Sequence, residues 1–461
     1  MKVAEELFVI PPNNGAGNFV LYLPLRDTIL EVDAVAISQL QRFSRDASFL
    51  ELMSPDLRGK FEKVGVMVED IEADRKRIPP APSLRAYKPT HVTLLPSYGC
   101  NLCCEYCYSR GGEDLTPPMT FDMSKAAIDT IVRNAKEIGT KKVQLGFHGG
   151  GEPFIRGNIS LIRQSVEYFK EQANLNGLKG AVSSATNAVM PRETLEYVVN
   201  NFDSLNISLD GPADIQNVQR PLAGGGPSFD QVLETIAVLR ERDFPFGIRA
   251  TVTERSVHRI DEIVQMCYEI APKVRVHLEP LFECGRCRTS KIHAPNPEVF
   301  LHEYLKAEAL ARKLGNSTYY SGGRLGSLSQ SFCGASGTNF FITPQGDVTN
   351  CLEVTRREEP KADVYIIGEY NPMSGNYEID ESKREVLCGR VVTNISHCAN
   401  CFAKYNCGGD CPSKVFNMTG SSMDTAGNGR CVINRGVLLS QIREKLINAA
   451  SHEAEGAQNG L

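Results

Sequence analysis

The segment Cys100-Asn101-Leu102-Cys103-Cys104-Glu105-Tyr106-Cys107 decides how the rest of the chain is read. Within it, Cys100, Cys104 and Cys107 are spaced C-x3-C-x2-C. Each iron of a [4Fe–4S] cube takes a thiolate, so three cysteines can hold a cube and leave one iron open to a small ligand. A zinc reading competes, because Cys100 with Cys103 and Cys104 with Cys107 make two C-x2-C pairs of the kind that bind a tetrahedral ion. Cys103 and Cys104 are adjacent, however, and leave no intervening chain to wrap both pairs around one metal. A disulfide reading needs an oxidising compartment, and no secretory signal accompanies the cysteines. In the cluster reading Cys103 is a spectator pointing away from the metal.

Outward from this loop the pattern alternates strand and helix. A short apolar strand at 91–95 delivers the cysteines. Helices are expected at 122–138, 158–173, 193–200, 229–242 and 259–270, with Gly139 as a C-cap. Strands are expected at 142–147, 180–185, 205–209, 247–252 and 274–278. Six strands joined by helices imply a parallel sheet, doubly wound or closed toward a barrel. The cysteine loop then lies at a carboxyl strand end, where both kinds of α/β fold place their active sites. Cys267, among Ile260, Ile263 and Val264 on one helical face, is expected in the core.

The 461-residue chain is too long for one core, so two or three domains are expected. A net charge of −5 gives no electrostatic reason to expect a nucleic-acid partner. No apolar run reaches the length that spans a bilayer, so no membrane association is expected. Fifteen cysteines without an export signal point to metal ligation in a reducing cytoplasm. Residues 1–90 read as a small separate domain, with a strand at 18–25, helix from there to Phe43 and a Pro-rich linker at 77–83. Residues 446–461 read as a flexible tail.

The cysteine loop, with aromatic Tyr106 before its last cysteine, resembles that of radical S-adenosylmethionine (SAM) enzymes, whose open iron chelates SAM. Gly150-Gly151-Glu152-Pro153 matches the Gly-Gly-Glu-Pro motif that binds the SAM amine in that family. Thr186-Asn187 resembles the family's Thr-Asn-Gly motif, with Ala188 in place of the glycine. Ser208-Leu209-Asp210-Gly211 is similar to the ribose-contacting segment, and Arg220 stands where relatives carry an arginine near the SAM carboxylate. The resemblance implies an α/β fold, a partial (β/α)6 TIM-like barrel, over 91–315. It also implies a flavodoxin or ferredoxin as electron donor, and a 5′-deoxyadenosyl radical that abstracts hydrogen from the substrate.

Further on, Cys333-x12-Gly346-x4-Cys351 is followed by Cys398-x2-Cys401-x5-Cys407-x3-Cys411 and then Cys431. Zinc ribbons share the C-x2-C element, but the order as a whole resembles the SPASM extension of peptide-modifying radical SAM enzymes, here over 316–445. That resemblance assigns Cys398, Cys401, Cys407 and Cys431 to one auxiliary cluster and Cys333, Cys351 and Cys411 to another, making three [4Fe–4S] clusters in all. Ser327 stands at one position where relatives supply a further cysteine. Cys284, Cys287, Cys388 or an open iron remain for the last coordination place.

Three functions follow as expectations. The first is maturation of a ribosomal peptide by a thioether or side-chain crosslink, with residues 1–90 as a leader-recognition module or a plain scaffold. The second is anaerobic sulfatase maturation; those enzymes carry an aspartate where this chain has Leu352, with Glu353 one further. The third is a non-catalytic electron carrier, which would need no Gly150–Pro153 motif. Glu353, His148 and Glu279 are the candidate bases.

Overall fold

The computed structural model describes residues 1–12, 17–82, 86–114, 116–422 and 429–458. Its N-terminal unit runs β1 (Lys2–Val3), β2 (Phe8–Ile10), β3 (Phe19–Leu23), β4 (Thr28–Val32), α1 (Ala34–Arg45), α2 (Pro55–Lys63), β5 (Met67–Val68) and α3 (Ile71–Arg75). The helix expected to run on to Phe43 is broken at its start. Asp27 adopts a left-handed φ of 49°, and β-branched Thr28 and Ile29 turn back as β4 antiparallel to β3. Helix begins only after Asp33, whose carboxylate accepts the Ala36 N–H.

Alternate side chains of β3 serve two cores, as a period of two requires. Leu21 and Leu23 join Phe43, Phe61 and Met67 inside the unit. Val20 and Tyr22 face the other way, onto Cys407, Leu438 and Ile442 of the C-terminal region. Of the Pro-rich stretch 77–83, residue 83 lies outside the described residues.

The barrel comprises β6 (His91–Leu94), α4 (Phe121–Ile138), β7 (Lys142–Phe147), α5 (Ile159–Leu175), β8 (Lys179–Thr186), α6 (Arg192–Asn201), β9 (Ser204–Ser208), α7 (Ala213–Gln219), α8 (Phe229–Glu241), β10 (Phe246–Val252), α9 (Ile260–Ile270), β11 (Arg275–Pro280), α10 (Pro297–Lys313) and β12 (Thr318–Tyr319). Strands β6 to β12 lie side by side in chain order, every neighbour parallel. Helix α4 shows why the helices cover the sheet: Ala127, Ile128, Ile131, Val132 and Ala135 are buried on one face, and Gly139 at φ 75° ends it. Cys267 is buried in this core, as expected.

The C-terminal region adds β13 (Phe341–Ile342), β14 (Asp347–Thr349), α11 (Ala362–Tyr365), β15 (Ile366–Asn371), β16 (Asn376–Ile379), α12 (Glu381–Cys388), α13 (Lys404–Cys407), α14 (Pro412–Thr419) and α15 (Arg430–Gln458). It is continuous with the barrel, because β13 pairs in parallel with β6 and carries β14–β16 as an antiparallel extension. Helix α15 continues through the segment expected as a tail, and residues 459–461 lie outside the described ones. Among the described residues no helix is long and apolar enough to cross a membrane.

Candidate active site at the carboxyl strand ends

The cysteine loop leaves β6 and folds over the strand ends. Backbone bonds pin it at Gly99, whose carbonyl accepts the Glu152 N–H at 2.8 Å, and at Tyr98, whose carbonyl accepts the Gly112 N–H at 2.8 Å. Each of its three expected ligands has a donor near the sulfur. The Leu102 N–H lies 3.4 Å from Cys100 Sγ, the Gly111 N–H 3.4 Å from Cys107 Sγ, and an Arg220 nitrogen 3.9 Å from Cys104 Sγ. Burial pushes the Cys100 and Cys104 thiols up to about 12, and the charges of neighbouring loop cysteines push the same way. Cys103 is exposed.

Glycine is required beside the loop. A Cβ on Gly150 would sit 2.5 Å from the Tyr98 ring, and one on Gly151 would sit 1.9 Å from the Gly99 carbonyl oxygen. Pro153, at the end of the motif, is buried beside them. Glu152 turns inward, where its carboxylate accepts the Thr186 hydroxyl at 2.7 Å and the backbone N–H groups of Asn187 at 2.7 Å and Phe154 at 3.1 Å. Burial raises its pKa to about 7 against those three donors. The Asn187 amide donates to Asn101 Oδ1 at 2.9 Å and so ties β8 to the cysteine loop. Ala188, in the family's glycine place, takes the left-handed φ of 63° that a glycine would prefer.

Asp210 is fully buried. It accepts the Tyr106 hydroxyl, the Gln219 amide at 2.7 Å and the Thr251 N–H at 3.0 Å, and it pairs with Arg220 at 3.1 Å. Arg220 also lies over the Tyr106 ring. The expected ribose and carboxylate contacts Asp210 and Arg220 therefore form one ion pair under the loop, and Ser208 is the last residue of β9, two positions before Asp210. Gln219, which completes this network, comes from α7, a helix that the sequence reading left out.

Two arginines clamp the cysteine loop from outside. Arg286 donates to the Cys104 carbonyl at 2.7 Å and the Gly111 carbonyl at 3.0 Å. Arg356 pairs with Asp114 at 2.7 Å, donates to the Ser109 carbonyl at 3.0 Å and stacks 3.9 Å above the Tyr98 ring. Neither belongs to a motif, so nothing in the cysteine spacing could have pointed to them.

The second cysteine set gathers into two groups. Cys351 is raised by burial, then by the charges of Glu353, Cys411 and Cys333. Cys431 is pushed up to about 11 by burial, with Asp410, Cys398 and Cys401 adding to it, and Cys407 is raised by burial with Cys431 and Cys398 near it. Around the first group, Asn350, Ser336 and Tyr365 bury side-chain polar atoms that have no protein partner among the described residues. Such atoms fit a polar inorganic group in that space. Among the described residues no three His, Cys, Asp or Glu side chains are set to hold a single metal ion. Of the candidates for a further ligand, Cys287 is buried against Ile292 and Cys388 lies beside Arg384, whereas Cys284 feels the charges of Glu353 and Lys361.

A cavity of about 530 Å³ joins the two regions. Tyr108 and Ser109 from the cysteine loop, Cys284 and Arg288 after β11, and Glu353 and Lys361 after Cys351 line it. Among the candidate bases, only Glu353 faces this cavity. It accepts the Ser413 hydroxyl at 2.8 Å and lies 3.9 Å from Lys361. Burial alone would raise Glu279, but Lys414, Arg430 and His277 hold it well below the usual carboxylate range. His148 is lowered by burial and lies against the Gly149 carbonyl.

Comparison with known proteins agrees with this geometry. Residues 94–267 match the Radical SAM superfamily. An uncharacterized protein of Methanocaldococcus jannaschii is 28% identical over 275 residues, 57% of this chain and 84% of that one. The sporulation killing factor maturation protein SkfB of Bacillus subtilis is 25% identical over 185 residues, 40% of this chain and 41% of its own. In fold, anSMEcpe with bound AdoMet aligns with a TM-score of 0.62 at 18% identity, covering 79% of this chain and 100% of that one. Streptococcus suis SuiB bound to its precursor peptide SuiA aligns with 0.51 at 17% identity, covering 93% and 99%. Residues 94–267, which carry the cysteine loop, Gly150–Pro153, Asp210 and Arg220, are thus similar to the Radical SAM superfamily.

Proposed function

We propose that this enzyme matures a ribosomally made peptide, joining side chains by a thioether or another crosslink, with three [4Fe–4S] clusters. The observation that carries the reading is the shared cavity of about 530 Å³, lined both by Tyr108, next to Cys107, and by Glu353, next but one to Cys351. Cys100, Cys104 and Cys107 would hold the first cluster. SAM held there would, on one-electron reduction by an external donor such as a flavodoxin or ferredoxin, supply 5′-deoxyadenosyl radical chemistry for hydrogen abstraction from the substrate.

The chain's own residues then have separate tasks. The backbone at Gly149–Gly151 gives SAM close approach, and ionised Glu152 offers charge to its ammonium group. Arg286 and Arg356 keep the cysteine loop seated. Glu353, braced by Ser413 and Lys361, would accept the proton that leaves when the new bond forms, while the electron left over would pass to an auxiliary cluster. Cys333, Cys351 and Cys411 would hold the auxiliary cluster nearer this cavity, and Cys398, Cys401, Cys407 and Cys431 the farther one. The similarity to SkfB, a maturation protein, and to SuiB, solved with its precursor peptide, supports a peptide substrate. Sulfatase maturation is disfavoured by Leu352, which cannot serve as a base.

The test is anaerobic reconstitution with SAM, dithionite and any short leader-bearing peptide found encoded in the neighbourhood of the gene. Formation of 5′-deoxyadenosine together with a peptide lighter by two hydrogens is expected. Formylglycine in a sulfatase peptide, with the encoded peptide untouched, would replace this reading by the second one.

A further inference from the structure

Helix α15 presents a buried asparagine to the farther cysteine group. Asn434 Nδ2 lies 3.2 Å from Cys407 Sγ and 3.3 Å from Asp410 Oδ1, while its Oδ1 accepts the Tyr320 hydroxyl at 2.7 Å. The Asp410 carboxylate only accepts, so the amide nitrogen must face it and the sulfur, and this fixes which way the amide points. Space for that orientation is built in. A Cβ on Gly322 would meet Asn434 Oδ1 at 2.1 Å, and one on Gly323, at φ 60°, would meet the Asn434 carbonyl at 2.3 Å. Asn434, Tyr320 and Asp410 are all buried. Arg430 joins Asp410 at 3.0 Å to Glu279 at 3.2 Å, so the arrangement is anchored to barrel strand β11.

We infer that Asn434 is a positioning residue that tunes the farther auxiliary cluster: its amide N–H, locked by Tyr320, donates to the Cys407 sulfur and raises that cluster's reduction potential. A hydrogen bond to a ligating thiolate stabilises the more negative, reduced cluster, and burial strengthens it. The bond therefore favours this cluster as an acceptor of an electron released at the cavity. The inference rests on the proposed ligation by Cys398, Cys401, Cys407 and Cys431.

The experiment is an EPR-monitored redox titration of the anaerobically reconstituted full-length enzyme. The farther cluster's signal is identified as the one that Cys401→Ala removes. A wild-type spectrum without a Cys401-dependent signal would overturn the ligation beneath the inference. With that signal present, Asn434→Leu is expected to lower its midpoint potential and leave the other two clusters unmoved. An unchanged midpoint at full iron content refutes the role of Asn434. If Asn434→Leu cannot hold the cluster, Tyr320→Phe decides, because it keeps the amide and removes only the group that orients it. A smaller fall is expected there, and no fall overturns the inference.

Discussion

Glu152 gives the sharpest quantitative test, because its charge is opposed by burial and needed by SAM. Burial raises its pKa from 4.5 to about 7. At about 1.4 kcal/mol per unit, that costs the folded chain roughly 3 kcal/mol when the carboxylate ionises. The sign follows from proton counting. Between these pH values the folded state holds more protons than the unfolded one, so unliganded stability falls as pH rises from 4.5 and levels off above 7. SAM reverses the preference, since an ammonium beside the site favours the ionised form. With a Glu152 midpoint near 7, and the α-amino group of SAM losing its own proton at about pH 8, SAM should bind about fourfold to fivefold more weakly at pH 6 than at pH 8. Equilibrium binding of SAM to the reconstituted enzyme across that range measures it. Glu152→Gln should bind weakly and without this slope. A flat wild-type profile, or the same slope in Glu152→Gln, refutes Glu152 as the partner of the SAM amine.

The other predictions concern the cysteines and the docking of the N-terminal unit. Cys100→Ala, Cys104→Ala and Cys107→Ala should each abolish 5′-deoxyadenosine formation under dithionite, whereas Cys103→Ala, at an exposed position, should retain it; loss with Cys103→Ala alone would show the ligand register to be wrong. Iron analysis after reconstitution should give about twelve irons per chain, four for each cube, and stoichiometric zinc with no brown chromophore would defeat the cluster assignment. Cys401→Ala should still cleave SAM while yielding little crosslinked peptide, as separate quantitation of 5′-deoxyadenosine and peptide mass would show. Tyr22→Phe removes a buried 2.8 Å bond to Asn406 and should cost about 1 kcal/mol in denaturant unfolding of the iron-loaded chain.

The barrel was legible because each of its strands and helices repeats one local rule. The period near 3.6 in α4 and the apolar run at Lys142–Phe147 identify their elements without any knowledge of partners. The motif cysteines and Gly150–Pro153 were legible because their spacing is chemical. Other features were hidden because they depend on contacts far apart in the chain. Tyr98 meets Arg356 across 258 positions, and β13 meets β6 across roughly 250, and neither contact leaves a periodic trace. Strand β4 was lost for another reason: its five residues lie between a tight turn at Asp27 and a helix cap at Asp33, too short a run to show its own period.

Docking of the N-terminal unit changes how its role can be separated from that of the cysteines beneath it. One face of its sheet is spent on its own core, and the other covers Cys401, Cys407 and helix α15. Lys404 and Tyr405, just before Cys407, bind Glu6 at 2.6 and 3.1 Å. Removing residues 1–90 would therefore uncover an apolar patch and the farther cysteine group together. Loss of product after such a truncation would follow whether the unit recognises a leader or only shields the cluster. What remains available to an extended peptide is the rim, where β2 and β4 are the outer strands of the three-stranded sheet. Substitutions at Val9 and Glu31, which are exposed on those strands and belong to neither core, leave both cores intact. If the unit recognises a leader, they should raise the KM for full-length peptide and leave the iron content and the peptide-independent cleavage of SAM unchanged. A scaffold without a partner would show no change in any of the three.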